Sequence, residues 1–428
     1  MPLIEPRTLK GFRDYLPEQM IPREALVDTA RRVYRSYGFL PIDTPALEYE
    51  EILTGKGGAE TDKQLYRFED HGGRRVALRF DLTVPLARFV AQHSAELGLP
   101  FKRYHIASVW RGENTQRGRY REFMQCDFDT IGTESFVSDV ETVLVIHDLL
   151  RAIGIERFTI RVNDRRYLTS LLEGHGLAER QADVLRVLDK RDKIGTEGML
   201  AELRGLGFDG GRVEALVRHL DDPARDPDAE PAMQPLVELR RAVLAAGVDA
   251  ERIRFDTSIA RGLDYYTGVV FETRLDDLPG IGSVCSGGRY DDLAQLYTKQ
   301  RLPGVGASLG LDRLLAALEE LGIGEARRST APIFLPYFDE SHLNDYLRLA
   351  ARLRAAGFGV ELFPEAKKLG AQLKYADRRG FRFALVLGDD EWKSGNVQVK
   401  NLGGGEPKTV PLDDASGGLS PELLAALR

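Results

Sequence analysis

Four arginines stand next to aromatic residues, glycines or carboxylates that suggest a binding site. In chain order they are Arg111 at the end of a predicted strand, Arg119 in the following loop, Arg261 before GLDYY, and Arg313 at the start of a predicted helix. Arginine carries a planar, permanently charged group that contacts phosphate oxygens at two points. Any one of them alone could be an ordinary surface arginine, but together they predict a site that holds a triphosphate.

The sequence lacks the familiar motifs of other nucleotide-binding and hydrolytic sites. It has no GxxxxGK[ST] loop, and GVGASLG at 304–310 does not have GxGxxG spacing. None of the seven histidines lies in an HExxH pair, and there is no serine nucleophile elbow. Cys126 and Cys285 have no partner at metal-ligand spacing, so we interpret both as buried small residues. A nucleotide site would therefore be built from side chains on a sheet.

The composition is typical of a soluble globular protein with more than one domain. The 428 residues exceed one ordinary core, and 43% hydrophobic with 29% charged residues leave little room for extended disorder. The opening MPLIEPRTLKGF has no basic segment followed by an apolar core, and no apolar run approaches a membrane span. We therefore expect a cytoplasmic protein without a membrane segment.

Charge is distributed unevenly along the chain. The net charge of −7 argues against general coating of nucleic acid, but binding depends on local patches. Residues 102–122 carry six Lys or Arg against two acidic residues, and residues 367–382 carry six against one. Each patch is equally compatible with a solvated face and with phosphate binding.

A row of polar residues follows one predicted strand. Residues 102–111 and 122–132 are predicted to form a strand pair joined by a basic loop. Side chains alternate along a strand, so Gln125, Asp127 and Asp129 share one face. This row indicates the lining of a site, although a half-exposed antiparallel strand would show the same pattern.

The remaining segments fall into three groups. Residues 23–37 are predicted as a helix, followed by the extended stretch FLPIDTPALEY. From about 166 to 252 the pattern changes to short helices, which suggests an inserted helical module. After a break near 322–332, strands and helices alternate, which is typical of a small α/β domain.

Five segments of the chain resemble the class II aminoacyl-tRNA synthetases. GFLPIDTP (38–45), the stretch 101–129 and GVGASLGLDRL (304–314) are similar to the three motifs of the class. RGLDYYTGVVFE (261–272) and CSGGRYDDL (285–293) are more specific and resemble the two signatures of the histidyl-tRNA synthetase family. KLGAQLKYADRRG (368–380) is similar to that family's anticodon-binding domain, so the resemblance runs nearly end to end.

The resemblance implies an α+β fold and a ligase. We expect a class II antiparallel sheet core flanked by helices over 1–328, with the helical insertion at 166–252 and an α/β anticodon-binding domain at 331–428. The implied reaction activates histidine with ATP to histidyl-adenylate and pyrophosphate, then transfers histidine to the 3′-terminal adenosine of tRNA(His). Mg²⁺ would accompany ATP, with no metal site in the protein itself, and the first class motif implies a homodimer.

The resemblance also assigns the residues at the reacting centre. Arg111 would bind the α-phosphate, and Arg261 would lie across the reacting carboxylate and that phosphate. Glu113 would approach the adenine, while Arg119 and Arg313 would hold the γ-phosphate. The substrate carboxylate is already ionised at neutral pH, so its attack needs alignment and charge neutralisation rather than a base.

The amino-acid and tRNA contacts follow from the same resemblance. The residues implied are Asp81, Thr83 and Gln125 for the ammonium group, Asp129 and Tyr266 for the imidazole nitrogens, Tyr290 to close the pocket, and Gln116 and Arg117 for the tRNA acceptor end with its extra 5′ guanosine. One departure is RFDLT at 79–83, where many bacterial members have RPEGT. The sequence RFDLT is more similar to archaeal and eukaryotic members. Asp81 is shorter than the glutamate of RPEGT, so we expect it to place the ammonium group slightly differently.

Two alternatives share part of the pattern. A regulatory subunit of ATP phosphoribosyltransferase has the same catalytic core, but it typically lacks the C-terminal domain and degrades the arginine set. A synthetase for threonine, proline or glycine shares the three class motifs, but not RGLDYY or SGGRYDDL.

Overall fold

In the computed structural model, the two strands predicted at 102–111 and 122–132 lie at Phe101–Trp110 and Glu122–Ile131. They pair antiparallel along their whole length, with Phe101 opposite Ile131 and Trp110 opposite Glu122. These two strands are neighbours in an eight-stranded sheet, the largest in the described part of the chain.

The structure describes residues 3–54, 63–116, 118–221, 227, 230–260, 266–324 and 328–427. The chain divides into two units: residues 1–14 with 25–324, and residues 15–24 with 325–428. No helix in the described ranges is long and apolar enough to cross a membrane.

Two sheets belong to the first unit. Its strands are β1 (Leu40–Pro41), β2 (Leu47–Tyr49), β3 (Arg67–Glu69), β4 (Arg75–Leu78), β5 (Phe101–Trp110), β6 (Glu122–Ile131), β7 (Phe158–Asp164), β8 (Ile253–Phe255), β9 (Val269–Leu275), β10 (Ser283–Tyr290) and β11 (Gly304–Gly310). Eight form a sheet in the order β1-β5-β6-β11-β10-β9-β7-β8, and β2-β4-β3 form a smaller one. The edge pairs β1–β5 and β7–β8 are parallel. The predicted antiparallel core is therefore confirmed for the six central strands, within a mixed sheet.

The helices of the first unit fall into three groups along the sequence. Four precede β7: α1 (Pro17–Ser36), α2 (Glu50–Thr54), α3 (Thr83–Leu97) and α4 (Phe136–Ile153). Five lie between β7 and β8: α5 (Arg165–Gly174), α6 (Gln181–Asp189), α7 (Arg191–Gly205), α8 (Gly210–Asp221) and α9 (Gln234–Ala245). The last, α10 (Leu311–Leu321), follows β11. The largest core cluster contains Phe128 of β6, Ile146 of α4 and Phe158 of β7.

The second unit contains a five-stranded sheet of order β13-β12-β14-β15-β16. Its strands are β12 (Ile333–Leu335), β13 (Val360–Leu362), β14 (Phe383–Val386), β15 (Asn396–Asn401) and β16 (Lys408–Pro411), and its helices are α11 (Leu343–Ala355), α12 (Leu369–Arg379), α13 (Asp389–Ser394) and α14 (Pro421–Ala426). Leu335, Tyr346 and Leu385 belong to its buried core. The alternation predicted for this region is present, and α13, β16 and α14 are short elements that it did not include.

The N-terminal prediction was wrong in its boundaries. Helix α1 begins at Pro17 rather than near residue 23. Proline is tolerated in the first turn of a helix because its missing N–H would have no intrahelical partner there. The stretch predicted as extended has strand structure only at Leu40–Pro41 and Leu47–Tyr49. Prolines cannot donate to a strand ladder, and Pro45 lies between these two short strands.

Candidate active site

A cavity of about 370 Å³ lies on the polar face of the eight-stranded sheet. Ten of the residues predicted for substrate binding line it: Asp81, Thr83, Arg111, Glu113, Arg119, Gln125, Asp129, Tyr266, Tyr290 and Arg313. They come from distant parts of the chain, and the antiparallel pairing of β6 with β5 and β11 brings many of them together.

Of the three other predicted residues, only Gln116 is described, and it is not among the lining. Gln116 is exposed, and its backbone pairs with that of Arg119 through N–H to O distances of 2.9 and 3.1 Å, which closes the loop between β5 and β6. Arg117 and Arg261 lie outside the described residues, so the roles assigned to them stay predictions.

Glycines create the space in which the carboxylates lie. A Cβ on Gly306 of β11 would approach Oδ1 of Asp129 to 2.2 Å, and one on Gly304 would approach the Tyr290 ring to 2.5 Å. Both distances are too short for any real contact. The glycines of GVGASLG therefore leave room for side chains on the neighbouring strands, which is a different use from a phosphate-binding loop.

One part of the cavity, the arginine end, is formed by Arg111, Arg119 and Arg313. The Nε of Arg111 donates to the Phe80 carbonyl at 2.9 Å, and its guanidinium lies 5.1 Å from the centre of the Phe123 ring. Arg313 donates from Nη1 to the Ser283 carbonyl. The loop that carries Arg119 touches the start of α10, since a Cβ on Gly118 would lie 3.3 Å from Cα of Arg313.

The other part, the carboxylate pocket, is formed by Asp81, Asp127 and Asp129. None of the three is more than 6% exposed. Asp129 is paired with Arg103 at 2.6 Å, and the Tyr290 hydroxyl donates to its other oxygen. Asp81 accepts from the Val84 N–H at 3.1 Å and so also caps the start of α3.

Two neutral groups complete the wall beside these carboxylates. The Gln125 amide donates to the Ser308 hydroxyl at 2.7 Å. This contact fixes which way the Gln125 side chain points on the face it shares with Asp127 and Asp129.

Burial dominates the electrostatics of the carboxylate pocket. It raises the pKa of Asp81 to about 6, although the charges of Arg111 and Arg103 oppose the rise. It raises the pKa of Asp127 to about 7, against the charge of Arg103. The pKa of Asp129 is raised for the same reason. Burial and the Asp129 carboxylate raise the pKa of the Tyr290 phenol well above its usual range. An incoming cation would favour the ionised forms of these carboxylates, so the pocket suits a ligand with an ammonium group.

The sequence interpretation missed several residues of the site. Asp127 was placed in the polar row without a role, and Arg103 was counted only within a basic patch. The pairing of β5 with β6 puts Arg103 opposite Asp129, which the alternation of both strands could have indicated. Arg13 gave no signal in the sequence.

Arg13 connects the start of the chain to the arginine end. Its Nη1 donates to the Tyr120 hydroxyl at 2.9 Å, and its Nη2 lies 3.1 Å from Oδ1 of Asp312. The other oxygen of Asp312 accepts from the Met124 N–H at 2.8 Å. Arg13 thus joins the loop between β5 and β6 to the residue that precedes Arg313.

Comparisons with known proteins agree along most of the chain. A family model described as histidyl-tRNA synthetase matches residues 11–314, and one described as an anticodon binding domain matches residues 331–421. The histidine–tRNA ligase of Rhodopirellula baltica is 60% identical over 423 residues, which covers 95% of this chain and 96% of that protein. That of Wolinella succinogenes is 48% identical over 428 residues, with the same coverage.

A solved structure shows the same agreement in three dimensions. The crystal structure of histidyl-tRNA synthetase from Nostoc sp. PCC 7120 is 33% identical to this chain, with a TM-score of 0.86 and coverage of 96% of this chain and 97% of that one. The regulatory-subunit alternative is less supported, because the relatives at 60% and 48% identity are both ligases and a C-terminal anticodon-binding domain is matched. The resemblance inferred from the sequence is confirmed: the chain belongs to the histidyl-tRNA synthetase family of ligases.

Proposed function

We propose that this protein activates L-histidine with ATP and transfers the histidyl group to the 3′-terminal adenosine of tRNA(His). One observation carries the proposal: a single cavity joins an arginine end to a carboxylate pocket on one sheet. The first suits a triphosphate, and the second suits an amino acid with an ammonium group and a polar ring.

The arginine end would hold ATP. Arg111 would bind the α-phosphate, Arg119 and Arg313 the γ-phosphate, and Glu113 would approach the adenine. Mg²⁺ would arrive bound to the triphosphate as part of the substrate, since Mg²⁺ commonly keeps phosphate and water ligands.

The first step would be an in-line displacement at phosphorus. An oxygen of the histidine carboxylate attacks the α-phosphorus, the bond from phosphorus to the bridging oxygen breaks, and pyrophosphate leaves. Arg111 would neutralise the charge that develops on the α-phosphate, and we assign the same task to Arg261. In the second step the oxygen of the 3′-hydroxyl attacks the carbonyl carbon of the adenylate and loses its proton. The bond from that carbon to the phosphate oxygen breaks, and AMP leaves.

The carboxylate pocket would select histidine. Asp81, Thr83 and Gln125 would bind the ammonium group, while Asp129 and Tyr266 would bind the two imidazole nitrogens. Tyr290 packs over the site with 4% exposure. An amino acid without these ring groups would leave a buried partner unpaired, which costs about 1–3 kcal/mol per group.

Recognition of tRNA would involve both units. Gln116 is exposed in the loop between β5 and β6, so it is available to the acceptor end, and Arg117 is assigned the same role. In the second unit, Lys374, Arg378 and Arg379 of α12 are exposed and could contact the backbone near the anticodon. We therefore assign residues 1–328, with the insertion at 166–252, to catalysis and acceptor-end binding, and residues 331–428 to the anticodon.

Two further features belong to the same proposal. Leu40 and Tyr49, at the first class motif and just after it, are 57% and 51% exposed, which supports a homodimer formed through this region. We place the protein in the cytoplasm, where histidine, ATP and tRNA occur together.

The test is aminoacylation with radioactive histidine. A transcript of tRNA(His) with its extra 5′ guanosine should accept histidine, whereas a transcript without that guanosine should accept it much more slowly. Absence of any histidyl-tRNA from an enzyme that forms the adenylate would contradict the second step. Equal charging of both transcripts would remove the role given to Gln116 and Arg117.

A further inference from the structure

A fully buried cation, Arg103, lies beneath the carboxylate pocket. Its exposure is 0%, and its Nη2 lies 2.6 Å from Oδ2 of Asp129 on the next strand. The same nitrogen approaches the Leu82 carbonyl at 3.4 Å. A buried guanidinium needs a counter-charge, because an uncompensated buried ion is strongly unfavourable. Asp129 supplies that charge.

The carboxylate pocket contains three carboxylates, and the ion pair with Arg103 involves only Asp129. Asp127 lies between Gln125 and Asp129 on the same face of β6 and is 1% exposed, and Asp81 is 6% exposed. The charge of Arg103 acts on all three carboxylates and favours their ionised forms, and the Asp129 carboxylate raises the pKa of Asp127. Because repulsion between two like charges is mutual, ionisation of Asp127 must also oppose that of Asp129. The state of Asp129 therefore depends on both Arg103 and Asp127.

We infer that Arg103 is a positioning and specificity-determining residue, whose ion pair holds Asp129 ionised and oriented as the acceptor for the substrate imidazole N–H, with Asp127 competing for the same cation. The inference rests on the proposed function, in which Asp129 binds the imidazole. An ionised carboxylate only accepts hydrogen bonds, whereas a protonated one also donates. Loss of the ion pair would therefore change which ring nitrogen the pocket selects.

The ionisation of these carboxylates should be visible in a pH profile, because the neighbouring groups do not change their charge near neutral pH. The groups that act on Arg103 or on these carboxylates are Tyr34, Arg79, His105, Arg111, Cys285, Tyr290 and Tyr297, and burial raises the pKa of Tyr297 to about 12. Burial, with the charge of Arg103, lowers the pKa of His105 to about 4. Burial raises the pKa of Tyr34, Cys285 and Tyr290. The carboxylates are the groups whose charge changes near neutral pH, since the pKa of Asp81 is about 6, that of Asp127 is about 7, and that of Asp129 is raised by burial.

The experiment measures kcat/KM for histidine in ATP–pyrophosphate exchange from pH 5.5 to 9. Arg103→Met removes the cation, so Asp129 should ionise only at higher pH. The acid limb of the profile should move up by about one pH unit, which is about a tenfold loss on that limb, while the KM for ATP stays unchanged. Asp127→Asn removes the competing charge and should move the limb to lower pH. The double variant should lie between the two, and the titration of free histidine is common to all profiles.

Arg289→Met is the matched control. Arg289 is 5% exposed and is paired with Asp139 at 2.8 Å, so this change also removes a buried guanidinium, but one whose ion pairs are with Asp139 and Asp291. The acid limb of the pH profile of Arg289→Met should coincide with that of the unmodified protein. A uniform loss at every pH in Arg103→Met, or an unmoved limb in Asp127→Asn, would overturn the inference. If Arg103→Met does not fold, the Asp127→Asn profile decides alone. An unmodified protein without histidine-dependent exchange would instead refute the proposed function.

Discussion

Replacing Asp81 by asparagine should stabilise the empty protein at alkaline pH and abolish histidine binding. Asp81 is 6% exposed, and its carboxylate accepts from the Val84 N–H at 3.1 Å. Burial raises its pKa from 3.8 to about 6. An asparagine oxygen can still accept from Val84, but the amide cannot ionise. The variant therefore keeps the cap of α3 and loses the buried charge.

The sign and size of the effect follow from the pKa difference. Because the folded state holds the proton more tightly, the stability that Asp81 contributes is fully present below pH 3.8 and is lost as the pH rises through 6. The difference of 6 − 3.8 = 2.2 units corresponds to about 3 kcal/mol. For a unit of roughly 300 residues, with an unfolding entropy of about 2 cal/mol/K per residue, this is up to about 5 °C in Tm.

Thermal denaturation without ligands at pH 4, 6 and 8 tests this expectation. The unmodified protein and Asp81→Asn should melt together at pH 4, and the variant should melt higher at pH 8. Asp70→Asn is a control of opposite sign, because hydrogen bonds from Arg74 lower the pKa of Asp70. Two results would contradict this role of Asp81. In one, Asp81→Asn gains no stability between pH 4 and 8 relative to the unmodified protein. In the other, histidine raises the Tm of the variant as much as it raises that of the unmodified protein.

Three further variants separate the binding of histidine, ATP and tRNA. Gly306→Ala places a Cβ 2.2 Å from Oδ1 of Asp129 and should raise the KM for histidine by about tenfold, the equivalent of about 1.4 kcal/mol of overpacking. Arg13→Met removes the contacts that hold the loop and the start of α10, so the KM for ATP in pyrophosphate exchange should rise by about tenfold while that for histidine does not. Lys374→Gln combined with Arg378→Gln should weaken tRNA binding and lower its salt dependence by about one unit of slope per lost phosphate contact, with exchange unchanged.

Each of these variants has a matched comparison. Gly280→Ala meets no atom within 4 Å and should leave the KM for histidine unchanged. Arg13→Lys should recover part of the ATP effect, since one charge contact remains possible. Arg348→Gln removes an exposed cation of α11 that is paired with Asp345, and it should not alter the salt dependence. An equal effect in any comparison would show that the change acts through general destabilisation.

The sequence predicted the parts of the fold that depend on strong local patterns. The strand pair β5–β6 and the alternation in the second unit follow from periodicity and turn residues, which act over short distances. The start of α1 at Pro17 and the parallel edge strands do not, because they depend on tertiary pairing. Propensity is a weak guide where packing decides the outcome.

The site shows the same division. Residues within recognisable motifs, such as Arg111 and Tyr290, were found because their neighbours in the sequence are distinctive. Arg103 and Arg13 were missed because each looks like a surface charge until the fold places a carboxylate beside it. Sequence alone cannot give the burial of a charged group, which decides its chemistry here.

We expect the cavity to activate histidine and no other amino acid. The direct measurement is the exchange of radioactive pyrophosphate into ATP, carried out with each of the twenty amino acids in turn at the same concentration. Histidine should support exchange, and the other nineteen amino acids should give only background. Exchange supported by a different amino acid, or no exchange with histidine in a folded protein, would contradict it.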